Sequence, residues 1–262
     1  MKRLLLIILS VIAFAGMGVA QDIYSVGYYT NTSGRQAAAV YKNETMLYTS
    51  NPSEGYSHDS PDVDYYGDNV YWVMNSRGSG SSGYYFNNAI IKKNDASYMA
   101  TPAGSGSHIY DLWRSNNILF AAGCIDFGSV RTATVWQDAS TTPHPLGNLV
   151  FESEARGITG VPMETLFVCG FQKVNSTFPQ GLQGIIWKSS DNWNVEVLHA
   201  FDMGTDLYSI AYYNGYLYSV GYVYDEDSNV ELKVWRTSAS NGATDEVYTL
   251  DAGWHLLLQK SL

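Results

Sequence analysis

A pair of short phrases recurs five times along the chain, and this repetition restricts the possible folds more than any other feature. The first phrase is an apolar and aromatic run that stands at Ile23–Gly27, Val70–Met74, Leu119–Gly123, Leu166–Gly170 and Leu217–Gly221. Its aromatic residue falls at Tyr24, Tyr71, Phe120, Phe167 and Tyr218, so the spacings by subtraction are 47, 49, 47 and 51. Self-similarity at a period of this length is typical of propellers, solenoids and other repeat folds.

Each repeat contains further runs of strand length around these phrases. The second phrase follows the first in every copy, at Ala38–Asn43, Ala89–Asn94, Ala133–Asp138, Gly184–Ser189 and Leu232–Thr237. A run precedes the first phrase in four copies, at Asp62–Tyr66, Ile109–Trp113, Arg156–Val161 and Leu207–Tyr213. A fourth run follows the second phrase at Met46–Ser50, Ser97–Thr101, Val195–Phe201 and Glu246–Leu250, with a weaker, proline-containing example at His144–Phe151. Gly, Asn, Asp and Ser separate the runs, as in tight turns between strands.

Four antiparallel strands in each repeat predict an all-β fold, a five-bladed β-propeller with four-stranded blades. The first copy begins at the second strand of a blade, so that blade lacks its inner strand. The final apolar run, Gly253–Leu262, follows the last outer strand and occupies an inner-strand position. We therefore expect the C-terminal strand to complete the N-terminal blade, so that the ring of residues 21–262 has no open edge.

The first 20 residues have the pattern of a secretory signal peptide. Lys2 and Arg3 precede the apolar run Leu4–Ala15, and the small residues of Gly18–Ala20 form a cleavage site. A run of about 12 apolar residues is shorter than a membrane-spanning helix requires. We therefore expect residues 1–20 to be removed and the mature chain to be secreted, periplasmic or held at the cell surface, without insertion into the membrane.

Charge and cysteine content exclude several other classes of protein. The 15 basic residues less Lys2 and Arg3 leave 13 against 25 acidic residues, and an acidic surface repels nucleic acid. The two cysteines, Cys124 and Cys169, each lie beside a glycine in an apolar run, which predicts buried free thiols rather than a disulfide scaffold. No cofactor motif is present, and we expect a monomer.

The longer connections should gather on one face of the ring. Within blades they are Thr30–Gln36, Ser76–Asn88, Ile125–Arg131, Lys173–Gln183 and Tyr224–Asn229, and between blades Asn51–Pro61, Pro102–His108, Glu152–Ala155, Asp202–Asp206 and Asp251–Gly253. Long loops on a rigid scaffold commonly carry binding sites, which predicts a ligand site at the mouth of the central channel. The candidate ligand-binding residues there are His58, Asp59, Asp62, His108, Tyr110, Asp111, Glu154, Arg156, Asp206, Tyr208 and Trp254.

The recurring phrases resemble those of secreted bacterial β-propeller repeat proteins, and the resemblance covers Asp22–Leu262. A five-bladed ring is also similar in fold to the tachylectins, which bind N-acetylated sugars, and to furanose-cleaving glycoside hydrolases. These resemblances imply a propeller fold. Because a fold does not determine an activity, they assign no residue of this chain a role.

Three functions remain open from the sequence. The first is an exported module that binds a protein or glycan ligand at one asymmetric site, because the residues that begin the inner strands differ from blade to blade. The second is a lectin-like protein, since aromatic rings beside carboxylates suit sugar rings. The third is a glycoside hydrolase, with its acids drawn from Asp62 or Asp64, Asp111, Glu154 and Asp206. No catalytic residue is assigned, and two loop histidines do not by themselves predict a metal site.

Overall fold

The computed structural model describes residues 22–250 apart from 53–55, 81–82, 148–149, 163, 191–192 and 228, and its regular elements are all β-strands. The strands are β1 (Tyr24–Thr30), β2 (Gln36–Lys42), β3 (Thr45–Thr49), β4 (Tyr56–Asp59), β5 (Val63–Tyr66), β6 (Asn69–Gly80), β7 (Gly83–Lys93), β8 (Ala96–Ala100), β9 (His108–Ser115), β10 (Ile118–Phe127), β11 (Val130–Gln137), β12 (His144–Pro145), β13 (Ser153–Val161), β14 (Thr165–Lys173), β15 (Leu182–Ser190), β16 (Asn194–Met203), β17 (Thr205–Tyr213), β18 (Tyr216–Tyr224), β19 (Val230–Ser238) and β20 (Thr244–Leu250). Within the described chain, no helix is long and apolar enough to cross a membrane.

The strands form five antiparallel sheets, which are the predicted five blades of a β-propeller. Blade 1 is β1-β2-β3. In blade 2, β4 and β5 lie end to end along β6, which is followed by β7 and β8. Blades 3, 4 and 5 take β9 to β12, β13 to β16 and β17 to β20 in order. Inner strands join neighbouring blades, since β9 contacts β13 and β13 contacts β17. Blade 1 has three strands in the described part of the chain, and the strand expected to complete it, Trp254–Leu262, lies outside the described residues.

In three of the five copies, the last residue of the second phrase makes the same turn contact. Asn43, Asn94 and Asp138 have positive φ angles of 47°, 55° and 50°, a conformation that Asn and Asp adopt more readily than most residues. Their side-chain oxygens accept hydrogen bonds from the backbone N–H groups of Ile23, Val70 and Leu119 at 2.9, 3.0 and 2.9 Å. Each bond ties the turn after the third strand to the start of the second strand of the same blade. The polar residue that ends the phrase is therefore part of the turn.

Apolar clusters between adjacent blades form the core. Trp136, Trp187 and Trp235 occupy the same position of β11, β15 and β19, and each packs in a cluster shared with the preceding blade. Fully burying a large apolar side chain contributes on the order of 2–3 kcal/mol. Cys124 and Cys169 are buried and are not joined in a disulfide, as the sequence predicts. The core thus lies between the blades rather than within any one of them.

The glycine that ends the first phrase allows two strands to approach closely. An added Cβ at Gly123, Gly170 or Gly221 would lie 2.0, 1.9 or 2.3 Å from the carbonyl oxygen of His108, Glu154 or Asp206, respectively. No side chain fits such a gap. In blade 2 the equivalent residue is Met74, and there the inner strand is interrupted between Asp59 and Val63. The glycine and the regular inner strand therefore occur together.

Several connections predicted as loops are strand in the structure. The stretch Ser76–Asn88 is the far end of the long β6–β7 hairpin, and β13 begins at Ser153, inside the predicted loop Glu152–Ala155. Between β16 and β17 only Gly204 remains, and its φ angle is 81°. A Cβ added at Gly204 would lie 2.6 Å from the carbonyl oxygen of Tyr224. Cross-strand hydrogen bonds extend the strands in these polar, glycine-rich segments, which turn chemistry alone does not reveal. The predicted loops Thr30–Gln36, Lys173–Gln183 and Tyr224–Asn229 do lie between strands.

Candidate functional site at the channel mouth

The inner strands of blades 3, 4 and 5 each carry a β-bulge at the same position. The unmatched residues are Tyr110, Arg156 and Tyr208, because pairing skips from Ile109 to Asp111 in β9, from Ala155 to Gly157 in β13 and from Leu207 to Ser209 in β17. A bulge turns the extra side chain away from the regular alternation of the strand. Three predicted site residues thus owe their orientation to the same irregularity, repeated in three blades.

Two residues before each bulge, the inner strands place a second set of polar side chains around the mouth. His108, Glu154 and Asp206 pair with Cys124, Phe171 and Tyr222 at equivalent positions of β10, β14 and β18, and in blade 2 Asp59 pairs with Asn75 in the same way. His108, Glu154 and Asp206 are buried. One inner-strand position therefore supplies three carboxylates and an imidazole from four successive blades.

Arg156 lies at the centre of this set. Its Nη1 donates to both carboxylate oxygens of Asp206 at 3.0 and 2.8 Å, and its Nε and Nη2 donate to Oε2 of Glu154 at 3.2 Å. Burial alone would lower the pKa of Arg156, but the Asp206 and Glu154 carboxylates outweigh it and raise the pKa. Burial raises the pKa of Asp206, and the charge and hydrogen bonds of Arg156 oppose that shift.

Glu154 connects the bulge residues of two blades. It accepts a hydrogen bond from the Tyr110 hydroxyl at 2.7 Å, and Nη1 of Arg131 lies 3.4 Å from its other oxygen. Burial and the Glu154 charge raise the pKa of Tyr110 well above its usual range, so this phenol remains a donor. The bonds make one continuous polar network from Tyr110 through Glu154 and Arg156 to Asp206.

Tyr208 is the exposed aromatic ring of the network. It is 43% exposed, with the Arg156 guanidinium carbon 4.5 Å from its ring centre and the Tyr222 ring in an edge contact at 5.2 Å. Burial and the neighbouring carboxylate of Asp206, opposed by Arg156, raise the pKa of Tyr208 to about 12. The ring is therefore held in place on one side while almost half of its surface faces solvent.

On the other side of the mouth, the β6–β7 hairpin packs against blade 3. The Phe86 ring lies 4.3 Å from the His108 ring, and the guanidinium groups of Arg77 and Arg131 lie 5.6 and 4.6 Å from the Phe86 ring centre. Nη2 of Arg77 is 3.2 Å from Nε2 of His108 and also pairs with Asp59. Blade 2 is thereby connected to the mouth through side chains of its hairpin.

The structure brings together seven of the eleven predicted site residues and places three elsewhere. The seven are Asp59, His108, Tyr110, Glu154, Arg156, Asp206 and Tyr208. Asp62 and Asp111 accept hydrogen bonds from the backbone N–H groups of Leu112 and Ile158, both at 2.7 Å, and so join one blade to the next. His58 is buried and precedes Asp59 in β4, so its side chain points to the opposite side of the sheet. Trp254 lies outside the described residues.

Sequence reasoning missed other residues of the mouth. They are Arg77 and Phe86 in the β6–β7 hairpin, Arg131 at the start of β11, Phe171 on β14, and Tyr222 and Tyr224 on β18. Arg156 also lies 4.8 Å from the Phe171 ring. The available signal for Phe171 and Tyr222 was their place directly after the repeated glycine of the first phrase. Nothing in the local sequence of Arg77 or Arg131 marks them as site residues.

The part of the chain that the structure describes contains no group of three or more His, Cys, Asp or Glu side chains arranged to hold a metal ion. The carboxylates of the mouth are instead within reach of arginines. Lys173 extends this pairing outward, with its Nζ 3.5 Å from Glu152.

Comparisons with known proteins give similarity of fold only. No family model and no curated protein sequence matches the chain. Among solved structures, a putative 6-phosphogluconolactonase from Bacteroides fragilis matches 90% of this chain and 83% of its own, with 10% identity and a TM-score of 0.45. The WD40 propeller domain of Doa1 matches 89% and 80% with 12% identity and a TM-score of 0.41. The catalytic domain of a GH62 α-L-arabinofuranosidase from Coprinopsis cinerea matches 72% and 67% with 8% identity and a TM-score of 0.41. Similarity at this level carries no inference about activity.

Proposed function

We propose that this chain is an exported binding module that takes a carbohydrate at one asymmetric site in the mouth of its propeller channel. Export follows from the signal-peptide pattern of residues 1–20, and a single site follows from the bulge positions, which hold Tyr110, Arg156 and Tyr208 in the three blades. A multivalent lectin would repeat its binding residues from blade to blade. The exposed surface of Tyr208 favours a carbohydrate as the ligand.

The exposed face of Tyr208 is the observation that supports a sugar ligand. Sugar rings have apolar C–H faces edged by hydroxyl groups, and an aromatic ring with one free face can pack against them. Tyr208 is 43% exposed and braced by Arg156 on one side, so little side-chain entropy would be lost on binding. Aromatic anchors held by their neighbours commonly contribute most of the binding energy of a site.

Polar groups at the ends of strands β14 and β15 could match the edge of such a ligand. Gln172 and Gln183 are half-buried at the ends of β14 and β15 nearest the mouth, where Nε2 of Gln172 donates to Oε1 of Gln183 at 3.1 Å. Glu152 has 40% of its side chain exposed beside Lys173. Amides can donate to and accept from hydroxyl groups, and a carboxylate can accept from them, so the ligand need not be charged.

Hydrolysis is less well supported by the same geometry. Glycoside hydrolases need one protonated carboxylic acid and one carboxylate. Here Glu154 and Asp206 both bond to Arg156, and the guanidinium stabilises the ionised form of each. Arg156 therefore opposes the protonation that an acid catalyst requires, whereas burial favours it at Asp206.

A glycan array with the purified chain Gln21–Leu262, presented multivalently, tests the proposal. We expect a related set of neutral glycans to bind, and the Tyr208→Ala variant to lose about tenfold or more in affinity, about 1.4 kcal/mol. The matched control is Tyr213→Ala, which removes a 72% exposed tyrosine from the opposite end of the same strand and should bind normally.

Each other outcome of the array counts against the proposal. A blank array would overturn the sugar ligand and favour a protein partner, to be sought by pull-down from the native cell envelope. Equal binding by Tyr208→Ala would place the sugar elsewhere. Release of free sugar during incubation would show the hydrolase instead.

A further inference from the structure

The second strand of blade 5 carries two tyrosines in line at its mouth end. Tyr222 and Tyr224 are two residues apart on β18, so their side chains lie on the same face of the sheet. The centre of the Tyr222 ring lies 5.2 Å from that of Tyr208 and 6.5 Å from that of Tyr224. Three aromatic rings therefore follow one another from the inner strand toward the end of β18.

The pair of tyrosines belongs to blade 5 and not to the repeat. The equivalent pairs of residues are Tyr28 and Thr30 in blade 1, Asn75 and Arg77 in blade 2, Cys124 and Asp126 in blade 3, and Phe171 and Lys173 in blade 4. Blade 5 alone has an aromatic residue at both positions. Because the other blades fold without such a pair, the fold itself does not require it.

Tyr224 takes part in the polar network of the mouth. Burial and the Asp206 carboxylate raise the pKa of Tyr224, whereas Arg156 and a hydrogen bond with Tyr208 oppose that shift. Tyr222 and Tyr224 are half-buried, and Tyr208 is 43% exposed. Each of the three rings is thus held by its neighbours and keeps part of its surface open to solvent.

The rim beyond Tyr224 is polar and acidic. The loop Asp225–Asn229 reads DEDSN and contains no basic residue, which disfavours an anionic ligand. Nε2 of Gln180 donates to the carbonyl oxygen of Asp225 at 3.1 Å, so the loop between β14 and β15 reaches this rim. Phe178, two residues earlier in the same loop, is 71% exposed. Aromatic surface and hydroxyl-binding groups therefore continue outward from the mouth.

We infer that the site is extended and takes a chain of at least two neutral sugar units, the first against Tyr208 and the next along β18 toward Tyr224. The inference rests on the carbohydrate ligand proposed above and adds its length and direction. The spacing of the rings is comparable with the length of one sugar unit, so successive units can each meet a ring. The second contact adds to the first because the cost of association is incurred once for the whole chain.

Calorimetric titration of the chain Gln21–Leu262 with neutral oligosaccharides of increasing length tests the extended site. The probes are the malto-, cello-, xylo- and chito-oligosaccharide series, each from one unit to six. In a series that binds, we expect affinity to rise about tenfold or more from one unit to two or three, about 1.4 kcal/mol. Because this comparison uses the unaltered protein, its result does not depend on the folding of any variant.

A tyrosine variant at each end of β18 locates the second contact. Tyr224→Ala should lose the gain from chain length, so that longer chains bind about as weakly as one unit, whereas Tyr208→Ala should weaken binding at every length. Tyr216→Ala is the matched control, since it removes a 40% exposed tyrosine from the opposite end of the strand and should bind normally.

The possible results separate the extended site from the proposed function. Equal affinity for one unit and for longer chains, or a length dependence that persists in Tyr224→Ala, would overturn the extended site and leave a carbohydrate site at Tyr208 standing. Absence of binding in all four series would count against the carbohydrate ligand itself, and the inference would fail with it.

Discussion

Arg156 is the residue on which the arrangement of the mouth depends most. It stands at a bulge, bonds to two carboxylates from two blades and lies over the rings of Phe171 and Tyr208. Only 16% of its side chain is exposed, so the charge of Arg156 is stabilised by protein groups rather than by water. The same contacts neutralise Glu154 and Asp206. One cation thus makes the burial of two anions possible.

Replacing Arg156 with methionine is expected to destabilise the fold by about 3–5 kcal/mol, because it leaves Glu154 and Asp206 buried without a cation. Urea unfolding measures the change. Arg236→Met is the matched control, since Arg236 pairs with Asp245 where both side chains are exposed, and its loss should cost about 0.5 kcal/mol or less. Equal effects of the two substitutions would mean that the buried network contributes no more than a surface ion pair.

The bulged inner strand is the element that turns a repeated blade into a site. Its carbonyl at the position of His108, Glu154 or Asp206 fits against the repeated glycine of the neighbouring strand, and two residues later the bulge orients Tyr110, Arg156 or Tyr208. The glycine has no role in chemistry. Its lack of a side chain permits the close approach of the two strands on which the orientation of the site residues depends.

Gly170→Ala tests this relation between glycine and bulge. The added methyl group would lie 1.9 Å from the carbonyl oxygen of Glu154, so the inner strand must shift, and we expect a loss of roughly 1–3 kcal/mol of stability together with weaker ligand binding. Val197→Ala is the control, at a 55% exposed position of the outer strand β16 in the same blade. Comparable unfolding midpoints for the two variants would contradict the packing role of the glycine.

The whole molecule is held together by bonds that run from each blade to the next. The Asn75 side chain bonds to both the N–H and the carbonyl of Ile109 at 2.9 and 2.8 Å, while Asp62 and Asp111 accept from backbone N–H groups of the following blade. Such bonds make each blade depend on its neighbours. A ring of this kind is stable when every blade has both neighbours, which is why closure matters.

Removal of Trp254–Leu262 is expected to unfold the chain, because blade 1 would keep three strands and an open edge. Circular dichroism and size exclusion of the chain ending at Gly253 measure the result, with Gln21–Leu262 as the reference. A soluble, cooperatively folding monomer from the shortened chain would show that the C-terminal strand does not close the ring.

The number of blades and the order of their strands followed from the sequence alone. These features are local and periodic, because apolar runs of strand length separated by turn residues recur in each copy. The seven residues that meet at the mouth were also among those predicted, because six of them lie in the first four residues of an inner strand and Asp59 lies at the equivalent pairing position of blade 2.

Only the tertiary structure separated the carboxylates that belong to the mouth from those that join blades. Asp62 and Asp111 lie a few residues from Asp59 and His108, and nothing in their local sequence distinguishes them. The hydrogen bond from Leu112 to Asp62 joins residues 50 positions apart, and the one from Ile158 to Asp111 joins residues 47 positions apart. The Arg156–Asp206 pair is likewise separated by 50 positions. That separation is about one repeat, so each bond joins a blade to its neighbour. A pattern that repeats within blades carries no information about which side chains will meet between them.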